Sequence, residues 1–593
     1  MARPHQELKD AGVLTRYHDL MQTTLTFVSH QWCAQRAADP HFNQLRVLQR
    51  VFHAALNDRL SIGMDLISAL ILQMKQIGRD QQRLLASGYM WFDYFSIPQP
   101  DAPMAEGSEH ADLATDLGKA VASLAAYVDK CRFFVVLAPA VVHEEGHIID
   151  YNTWKLRGWC RFERFARVMS SSTDTKMLVV RGEKAVFQVG PHDYLFDPVG
   201  SGDFSVESDR HSLAVLAQDM LKKKTDGLLR GGQLRYYRHL LAMRNCLLEG
   251  LHLACNGAAP ALADADALAK FMDEFRFASP TSCVDGSWPL TFATSLGDTR
   301  IMQALIDRRA RVDCRDRRID SAHFRMMGMQ PVHVAAACGH LAALQVLLRN
   351  RADMNACDGN GATLLMSGTS SNPQVVRLAL EMRTDMRSNS FGRSPLEAYA
   401  FHGRSSAIEV LLAQGIALEA TDGLNALHSA ALGSGDLKTT QLLIEAGVLL
   451  GGKIAPKFGT LLGKVFRVWS LSHRLGFSHF LSRFGYHIFG MTPLMVALVF
   501  GNDSQAKLML ECRADPEDRN ARGLTADELH CEFTSSRKAT SASRRRSLSR
   551  VSPDCQPSES CCHGVIRIAQ ACADNDEVES ATEGRTAVLR RDA

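Results

Sequence analysis

Short apolar segments alternate with helix-like segments over the first 230 residues of the chain. Strands are predicted at residues 25–28, 89–92, 133–138 and 177–180, and a fifth is indicated at 186–189. Helices are predicted from apolar spacing at residues 41–56, 111–129, 153–169 and around 213–220. Residues 133–138 are almost wholly apolar, as expected for a strand that is buried on both faces. The alternation predicts an α/β domain over residues 20–230, with helices on both faces of a parallel sheet.

A recurring phrase extends from about residue 286 to residue 533. Glycines open the phrase at positions 328, 361, 392, 423, 490 and 523, at intervals of 33, 31, 31, 67 and 33 residues. The interval of 67 residues fits either two units or one unit with an insert. This period, combined with pairs of short helices, predicts an all-α solenoid of stacked units.

The clearest unit is the phrase at residues 330–336 (QPVHVAA), which is followed by Gly339 and His340. Related phrases stand at residues 426–431 and 492–494. These units resemble ankyrin repeats, which implies a solenoid over residues 286–533 that binds a protein partner.

In an ankyrin unit the recurring Pro, Leu and His shape the turn and the first helix. Contacts with a partner are therefore predicted at the variable hairpin tips. The candidate partner-binding residues are Asp358, Asn360, Asn389 and Phe391.

The segments on either side of the repeats differ in composition. Residues 231–285 are predicted to form a helical connector that packs on the first repeat. Residues 534–593 are rich in Ser and Arg and lack apolar periodicity, which predicts a disordered tail. Within it, residues 544–547 (RRRS) resemble a target of basophilic kinases, so Ser547 is a candidate phosphorylation site.

A basic insert interrupts the repeats at about residues 452–489. The chain has no Asp or Glu between Gly447 and Asn502, and apolar side chains lie among its basic residues. The basic residues are Lys453, Lys457, Lys464, Arg467, Arg474 and Arg483. A basic amphipathic helix can lie on an anionic membrane surface or fill a calmodulin-type groove. Alternatively, the apolar face of the insert packs on the neighbouring repeats.

Composition narrows the class of protein. The 593 residues include 67 Lys plus Arg and 64 Asp plus Glu, so the net charge of +3 gives no reason to expect nucleic acid as a partner. The hydrophobic content of 46% and charged content of 22% exclude a wholly disordered chain. No signal-peptide pattern opens the sequence, and no apolar run reaches the about 20 residues that span a membrane. Together with 15 scattered cysteines, these features predict a cytoplasmic protein.

Polar side chains collect at the carboxyl ends of the predicted strands, where open parallel sheets bind ligands. Ser29 and His30 end the first strand, and Asp93 follows the second. The helix after the third strand carries Trp159-Cys160 and Glu163. The phrases at residues 27–30 and 159–163 resemble those of the Toll/interleukin-1-receptor (TIR) superfamily. The resemblance implies a flavodoxin-like α/β fold that signals or self-associates.

In enzymatically active TIR domains, the Glu of the Trp-Cys-x-x-Glu phrase cleaves the nicotinamide–ribose bond of NAD. The resemblance therefore implies Glu163 as a candidate catalytic carboxylate, which would stabilise an oxocarbenium-like transition state. The alternative is an ion pair on a solvated helix face between Glu163 and one of Arg161, Arg164 or Arg167.

Ser29, His30 and Asp93 are the candidate ligand-binding residues of the same site. His30 would orient a ligand, and Asp93 would hold a ribose hydroxyl, unless these side chains only complete the edge of the core. No resident cofactor is expected, because NAD would enter as a substrate.

One further motif concerns metals. Residues 143–147 (HEEGH) match the His-Glu-x-x-His pattern of zinc proteases, which requires both histidines on one face of a helix. Pro139 and Gly146 favour a loop instead, so no metal site is predicted. Two functions therefore stay open: an adaptor that binds a protein through its repeats, and an NAD-cleaving hydrolase targeted by them.

Overall fold

The computed structural model describes residues 4–15, 17, 24–65, 68–69, 74–99, 118–171, 176–190, 197–251, 264–317, 328–367, 372–386, 393–416, 418, 423–433, 436–477 and 479–534. None of the helices in these ranges is long and apolar enough to cross a membrane. The strands are β1 (Thr26–His30), β2 (Ile62–Met64), β3 (Met90–Phe92), β4 (Phe133–Leu137), β5 (Val141–Val142), β6 (Ile148–Ile149), β7 (Lys176–Val180) and β8 (Val186–Val189).

The helices before the repeats are His5–Asp10, Asn43–Leu56, Arg79–Ser87, Asp93–Ser96, Leu124–Lys130, Tyr151–Leu156, Gly158–Met169, Glu207–Arg230, Leu234–Ala242, Arg244–Leu247 and Asp264–Glu274. The helices of the repeats are Pro289–Leu296, Thr299–Asp307, Pro331–Cys338, Leu341–Arg349, Leu364–Ser367, Pro373–Glu381, Pro395–Phe401, Ser405–Ala413, Ala426–Leu432, Leu437–Glu445, Pro493–Val499, Asp503–Glu511 and Ala526–Thr534. The insert contributes Leu461–Arg474 and Phe480–His487.

Six strands form the N-terminal sheet in the order β2-β8-β7-β4-β1-β3. The four strands β3, β1, β4 and β7 run parallel, and Val28 of β1 lies between Phe92 and Val135. Alternate residues of β4 enter two different apolar clusters, with Phe134 in one and Phe133 in the other. Because successive side chains of a strand face opposite sides, apolar cores lie on both faces of the sheet.

The prediction of a wholly parallel sheet is wrong at one edge. β8 runs antiparallel to β7, because only residues 181–185 join the two strands, whereas a parallel crossover needs a dozen residues or more. The backbone N–H of Arg181 donates to the carbonyl of Ala185 at 2.9 Å across this short turn. β2, which the sequence pattern did not indicate, pairs with β8 and completes a mixed sheet.

The segment predicted as one helix at 153–169 forms two helices that meet at Arg157. Asp150 begins the first of them, since its carboxylate accepts hydrogen bonds from the backbone N–H groups of Asn152 at 2.8 Å and Thr153 at 3.2 Å. Arg157 has an extended backbone conformation, with φ of −71° and ψ of 128°, and the second helix, Gly158–Met169, begins directly after it. That helix carries Glu163.

The repeat units stack through their tips. Gly328, Gly361, Gly423, Gly490 and Gly523 all have φ between 73° and 80°, a left-handed conformation that favours glycine. Gly392 lies outside the described residues. A Cβ atom on Gly490 would lie 2.6 Å from the backbone N of Ala521 in the next tip. All five glycines therefore turn the chain, and Gly490 also lets two neighbouring tips approach.

The long interval of 67 residues contains one unit and an insert. In an ordinary unit, Nε2 of His333 contacts the carbonyl of Ala356 in the next tip at 3.0 Å. The corresponding His428 contacts the carbonyl of Met491 at 3.1 Å, so the next tip lies beyond the insert. The helix Ala426–Leu432 accordingly packs directly on Pro493–Val499.

The connector and the turns between repeat helices join the solenoid to the N-terminal domain. Leu234–Ala242 packs on the first repeat helix. Asp197 forms ion pairs with Arg164 at 3.4 Å and with Arg404, from the repeats, at 3.3 Å. The hydroxyl of Ser504 donates to Asp150 at 2.5 Å. One end of several repeat units is thus occupied by the α/β domain.

Candidate functional site

The parallel pairing of β1 with β3 brings three predicted site residues to one edge of the sheet. Val28 lies opposite Phe92, so Ser29 and His30 at the end of β1 lie beside Asp93, which follows β3. Nε2 of His30 lies 2.7 Å from the Asp93 carboxylate, and the indole N–H of Trp32 donates to the same carboxylate at 2.9 Å. The backbone N–H of Tyr94 adds a third hydrogen bond at 2.6 Å.

The pair of His30 and Asp93 favours opposite charges. Burial alone would lower the pKa of His30, but the Asp93 carboxylate outweighs it and raises that pKa above its ordinary value. Burial would raise the pKa of Asp93, and the charge and hydrogen bond of His30 lower it instead. The other ring nitrogen of His30 faces the Gln44 side-chain oxygen at 3.1 Å. Both ring nitrogens therefore meet acceptors, which suits a protonated imidazole.

Glu163 joins the same edge from the helix Gly158–Met169. The hydroxyl of Ser29 donates a hydrogen bond to its carboxylate, and the indole N–H of Trp154 donates to that hydroxyl at 3.0 Å. Burial raises the pKa of Glu163 to about 8, and the negative charge of Asp93 adds to the rise, while Ser29 and His30 oppose it. The half-buried carboxyl therefore keeps its proton far above the pH at which an exposed Glu loses it.

The alternative ion pair with Arg161 or Arg164 is wrong. The Arg161 guanidinium donates to the carbonyls of Lys155 at 2.6 Å and Pro198 at 3.0 Å. Arg164 points to Asp197. Glu163 takes part in none of the ion pairs seen among the described residues, so Arg167 does not fill that role either. Its environment is the edge of the sheet and not a solvated helix face.

The structure adds two residues that sequence reasoning did not single out for this site, and it also shows the environment of Cys160. Trp154 supports Ser29 from the preceding helix, and Gln44 supports His30 from the helix after β1. The Cys160 thiol lies 3.7 Å from the carbonyl of His30, and burial raises its pKa well above the ordinary value. A thiol in that state is a poor nucleophile. No local pattern marks Trp154, because its partner stands 125 residues earlier in the chain.

The His-Glu-x-x-His motif does not form the geometry of a zinc protease. β5 and β6 are the two arms of a hairpin, and residues 143–147 form its tip. The rings of His143 and His147 stack with centroids 4.5 Å apart, and each Nδ1 lies 3.7 Å from Glu145. A zinc protease holds its two histidines one turn apart on a helix, which this hairpin does not provide.

The candidate partner-binding residues fall into two groups. Asp358 is only 9% exposed, because its carboxylate accepts hydrogen bonds from the backbone N–H groups of Asn360 at 2.8 Å and Ala362 at 2.9 Å. It therefore shapes the tip, and Asn360 beside it is half-buried. Asn389 and Phe391 lie outside the described residues, as does Ser547 in the tail. Their predicted roles stay predictions.

Comparison with known families identifies the repeats. The family model described as ankyrin repeats (3 copies) matches residues 290–390 and 332–422, and the model described as ankyrin repeat matches residues 489–521. The basic insert lies between the matched segments. No curated protein matches the chain.

Two solved structures are similar to part of the chain. The human ASB11 ankyrin repeat domain shares 22% identity with a TM-score of 0.28, covering 45% of this chain and all of that one. The ankyrin repeat domain of Bcl-3, described as a unique member of the IkappaB protein family, shares 18% identity with a TM-score of 0.29. This match covers 42% of this chain and 95% of the Bcl-3 domain.

Proposed function

Residues 290–422 and 489–521 are ankyrin repeats, and on that premise we propose that the chain is a cytoplasmic adaptor that binds a protein partner through the tips of its repeats. Ankyrin repeats generally mediate contacts between proteins. In the same proposal, the α/β domain signals or self-associates. The fold agrees with this part: when the edge strand β2 is left out of the numbering, the parallel strands β3-β1-β4-β7 follow the 2-1-3-4 order of flavodoxin-like sheets.

The proposal rests on a difference between the two ends of the repeat units: one end contacts the α/β domain, and the other end keeps exposed side chains. The turns between first and second helices contact the α/β domain through Arg404 and Asn502, and the start of one second helix does so through Ser504. The tips at the other end keep exposed side chains, for example Arg317 and Cys357. A partner therefore finds the tips accessible, while the helix turns are already engaged within the chain.

The test compares two double variants that carry the same change of charge. Arg317→Glu with Cys357→Arg alters the tips, and Arg349→Glu with Ala342→Arg alters exposed positions on a second helix. Proteins cross-linked to the wild-type chain in cells are identified first. We expect the tip variant to lose the cross-linked partner and the helix variant to keep it. The proposal fails if both variants keep it, or if only the helix variant loses it.

A second function, hydrolysis of NAD, is supported by the position of Glu163 beside Ser29, His30 and Asp93. In this reaction the bond between nicotinamide and C1′ of the ribose breaks, and neutral nicotinamide leaves with the bonding electrons. Glu163 would stabilise the oxocarbenium-like transition state as a carboxylate. Water adds to C1′ and releases one proton. Because a protonated Glu163 cannot supply that charge, the cationic nicotinamide ring would first have to lower its pKa.

The enzyme proposal is tested by NAD consumption with the full chain at high protein concentration. Glu163→Gln keeps the shape of the side chain and can still accept the hydrogen bond of Ser29. The matched control is Glu183→Gln, at an exposed position. If the chain is an enzyme, Glu163→Gln reduces turnover by about 100-fold or more and the control has full activity. Turnover equal to the buffer background, or equal in both variants, removes the enzyme proposal.

A further inference from the structure

The two helices of the insert form a hairpin that has one buried and one exposed side. Leu461–Arg474 packs on Phe480–His487, and Phe466 and Phe484 are fully buried between them. Phe480 and Phe484 continue this packing onto Phe500 of the following repeat, with ring centroids 5.5 and 5.1 Å away. The buried side of the insert is therefore part of the core of the repeats.

The opposite side of the helix Leu461–Arg474 exposes a row of aliphatic side chains. Leu461, Val468, Leu471 and Leu475 are 45%, 64%, 56% and 69% exposed. Their spacings of seven, three and four residues place them on one face of a helix. Phe458 before the helix and Phe477 after it are also largely exposed. We call these six residues, together with Lys464, the insert face.

Within the segment that carries the insert face, the charged side chains have a single sign. Lys464 lies in the row of aliphatic side chains and is exposed, and Arg467 and Arg474 lie along one edge. No acidic residue occurs between Gly447 and Asn502. The large exposed apolar groups of this segment are therefore accompanied in the sequence by cations alone.

A cavity of about 440 Å³ opens beside the insert face, between this helix and the tip of the last repeat. Its charged lining consists of Arg467, Arg474 and Arg522. Arg467 donates to the carbonyls of Gly463 and Pro456, and Arg522 donates to the carbonyl of Tyr486. None of the three arginines forms an ion pair with a carboxylate among the described residues. Their charges remain available to an anion.

We infer that the insert face lies on an anionic membrane surface, with a lipid phosphate in the cavity lined by the three arginines. The aliphatic side chains would enter the boundary between headgroups and acyl chains, and the cations would contact anionic lipids. A calmodulin-type partner fits less well, because such a groove surrounds its helix, whereas Phe466 and Leu462 of this helix are buried in the repeats.

The test is flotation of the full chain with vesicles of phosphatidylcholine, with or without phosphatidylserine. We expect binding only to vesicles that contain phosphatidylserine. Val468→Glu with Leu471→Glu should reduce the partition coefficient more than tenfold. The matched control, Val215→Glu with Met382→Glu, changes two exposed apolar residues elsewhere and should bind as the wild type does.

A second pair of variants tests the charges. Lys464→Gln with Arg474→Gln should weaken binding by about fivefold for each cation removed. Lys222→Gln with Lys223→Gln, at exposed positions of the helix Glu207–Arg230, should have no such effect. All four substituted sites are on the surface, so we expect these variants to fold as the wild type does. Unfolding curves that coincide with the wild-type curve confirm this.

Three outcomes would overturn the inference. In the first, the wild-type chain fails to float with phosphatidylserine vesicles. In the second, the insert variants float as well as their controls. In the third, calmodulin or a second copy of the chain binds the insert face, and vesicles do not compete with it.

Discussion

The hydroxyl of Ser29 donates a hydrogen bond to the carboxylate of Glu163, across 134 residues of sequence. The contact joins the end of β1 to the helix Gly158–Met169, and the indole N–H of Trp154 donates to the same hydroxyl. It takes Glu163 out of solvent and places it near Asp93. The protonation state of Glu163 is therefore coupled to the folding of this edge of the sheet.

We expect the stability of the α/β domain to decrease as the pH rises from about 4.5 to about 8. The pKa of Glu163 is raised on folding, so the folded chain holds a proton that the unfolded chain releases in this range. Glu163→Gln carries no such proton and should be more stable than the wild type at pH 8, by on the order of 2 kcal/mol. Urea unfolding of both proteins across this pH range measures the difference. Parallel pH profiles would contradict it.

The pKa of His30 should fall when its partner is neutralised. Asp93→Asn removes the charge that holds the pKa of His30 above its ordinary value, and burial then acts in the opposite direction. Ring-carbon NMR titration of labelled histidine in the wild type and in Asp93→Asn would follow this change. In the wild type, the stabilisation from this pair is complete between about pH 4 and about pH 6.5. It is lost as the pH rises through the raised pKa of His30, and also as the pH falls through the lowered pKa of Asp93. An unchanged His30 titration in Asp93→Asn would show that the pair is not coupled.

Asp197 should stabilise the junction between the α/β domain and the repeats. Asp197→Ala leaves Arg164, which is 1% exposed, without the carboxylate that it faces, and it also removes one ion pair of Arg404. We expect a loss of about 3–5 kcal/mol, because an uncompensated buried charge is costly. Calorimetry measures the loss. Asp219→Ala, which breaks an exposed pair with Lys223, should cost less than about 1 kcal/mol, and equal losses would contradict the account.

A comparison of two glycine positions distinguishes the cost of strain in a left-handed turn from the cost of a steric clash between two tips. Gly490 and Gly523 have φ values of 76° and 80°, but only at Gly490 would a Cβ meet a neighbouring tip. Gly523→Ala should cost about 1 kcal/mol from strain alone, and Gly490→Ala should cost clearly more. Urea unfolding of the two variants measures both costs. Equal costs would mean that the tips do not stack as closely as the structure places them.

Much of the repeat domain could be predicted because its signals are local. The glycines mark turns that need a positive φ, and His333 and His428 form the same hydrogen bond to the next tip in their two units. The edge of the sheet was harder to predict. β2 has only three residues, and the direction of β8 depends on the length of a turn.

The candidate site, like the fold, could be predicted only in part. Its residues at the strand ends followed from the rule that parallel strands present their carboxyl ends at one edge. The environment of Glu163 did not follow, because helix spacing favoured its arginine neighbours. Those arginines instead reach carbonyls and Asp197, which are distant in sequence or lie beyond the helix. Such competition between partners is decided only when the chain is folded.

Hydrogen–deuterium exchange of the full chain, alone and with the partner isolated by cross-linking, tests the central claim most directly. If the repeats bind a protein through their tips, protection appears in the segments around residues 353–363 and 515–524 and is absent from the second helix Leu341–Arg349. Protection confined to that helix or to the α/β domain would contradict the proposed adaptor function.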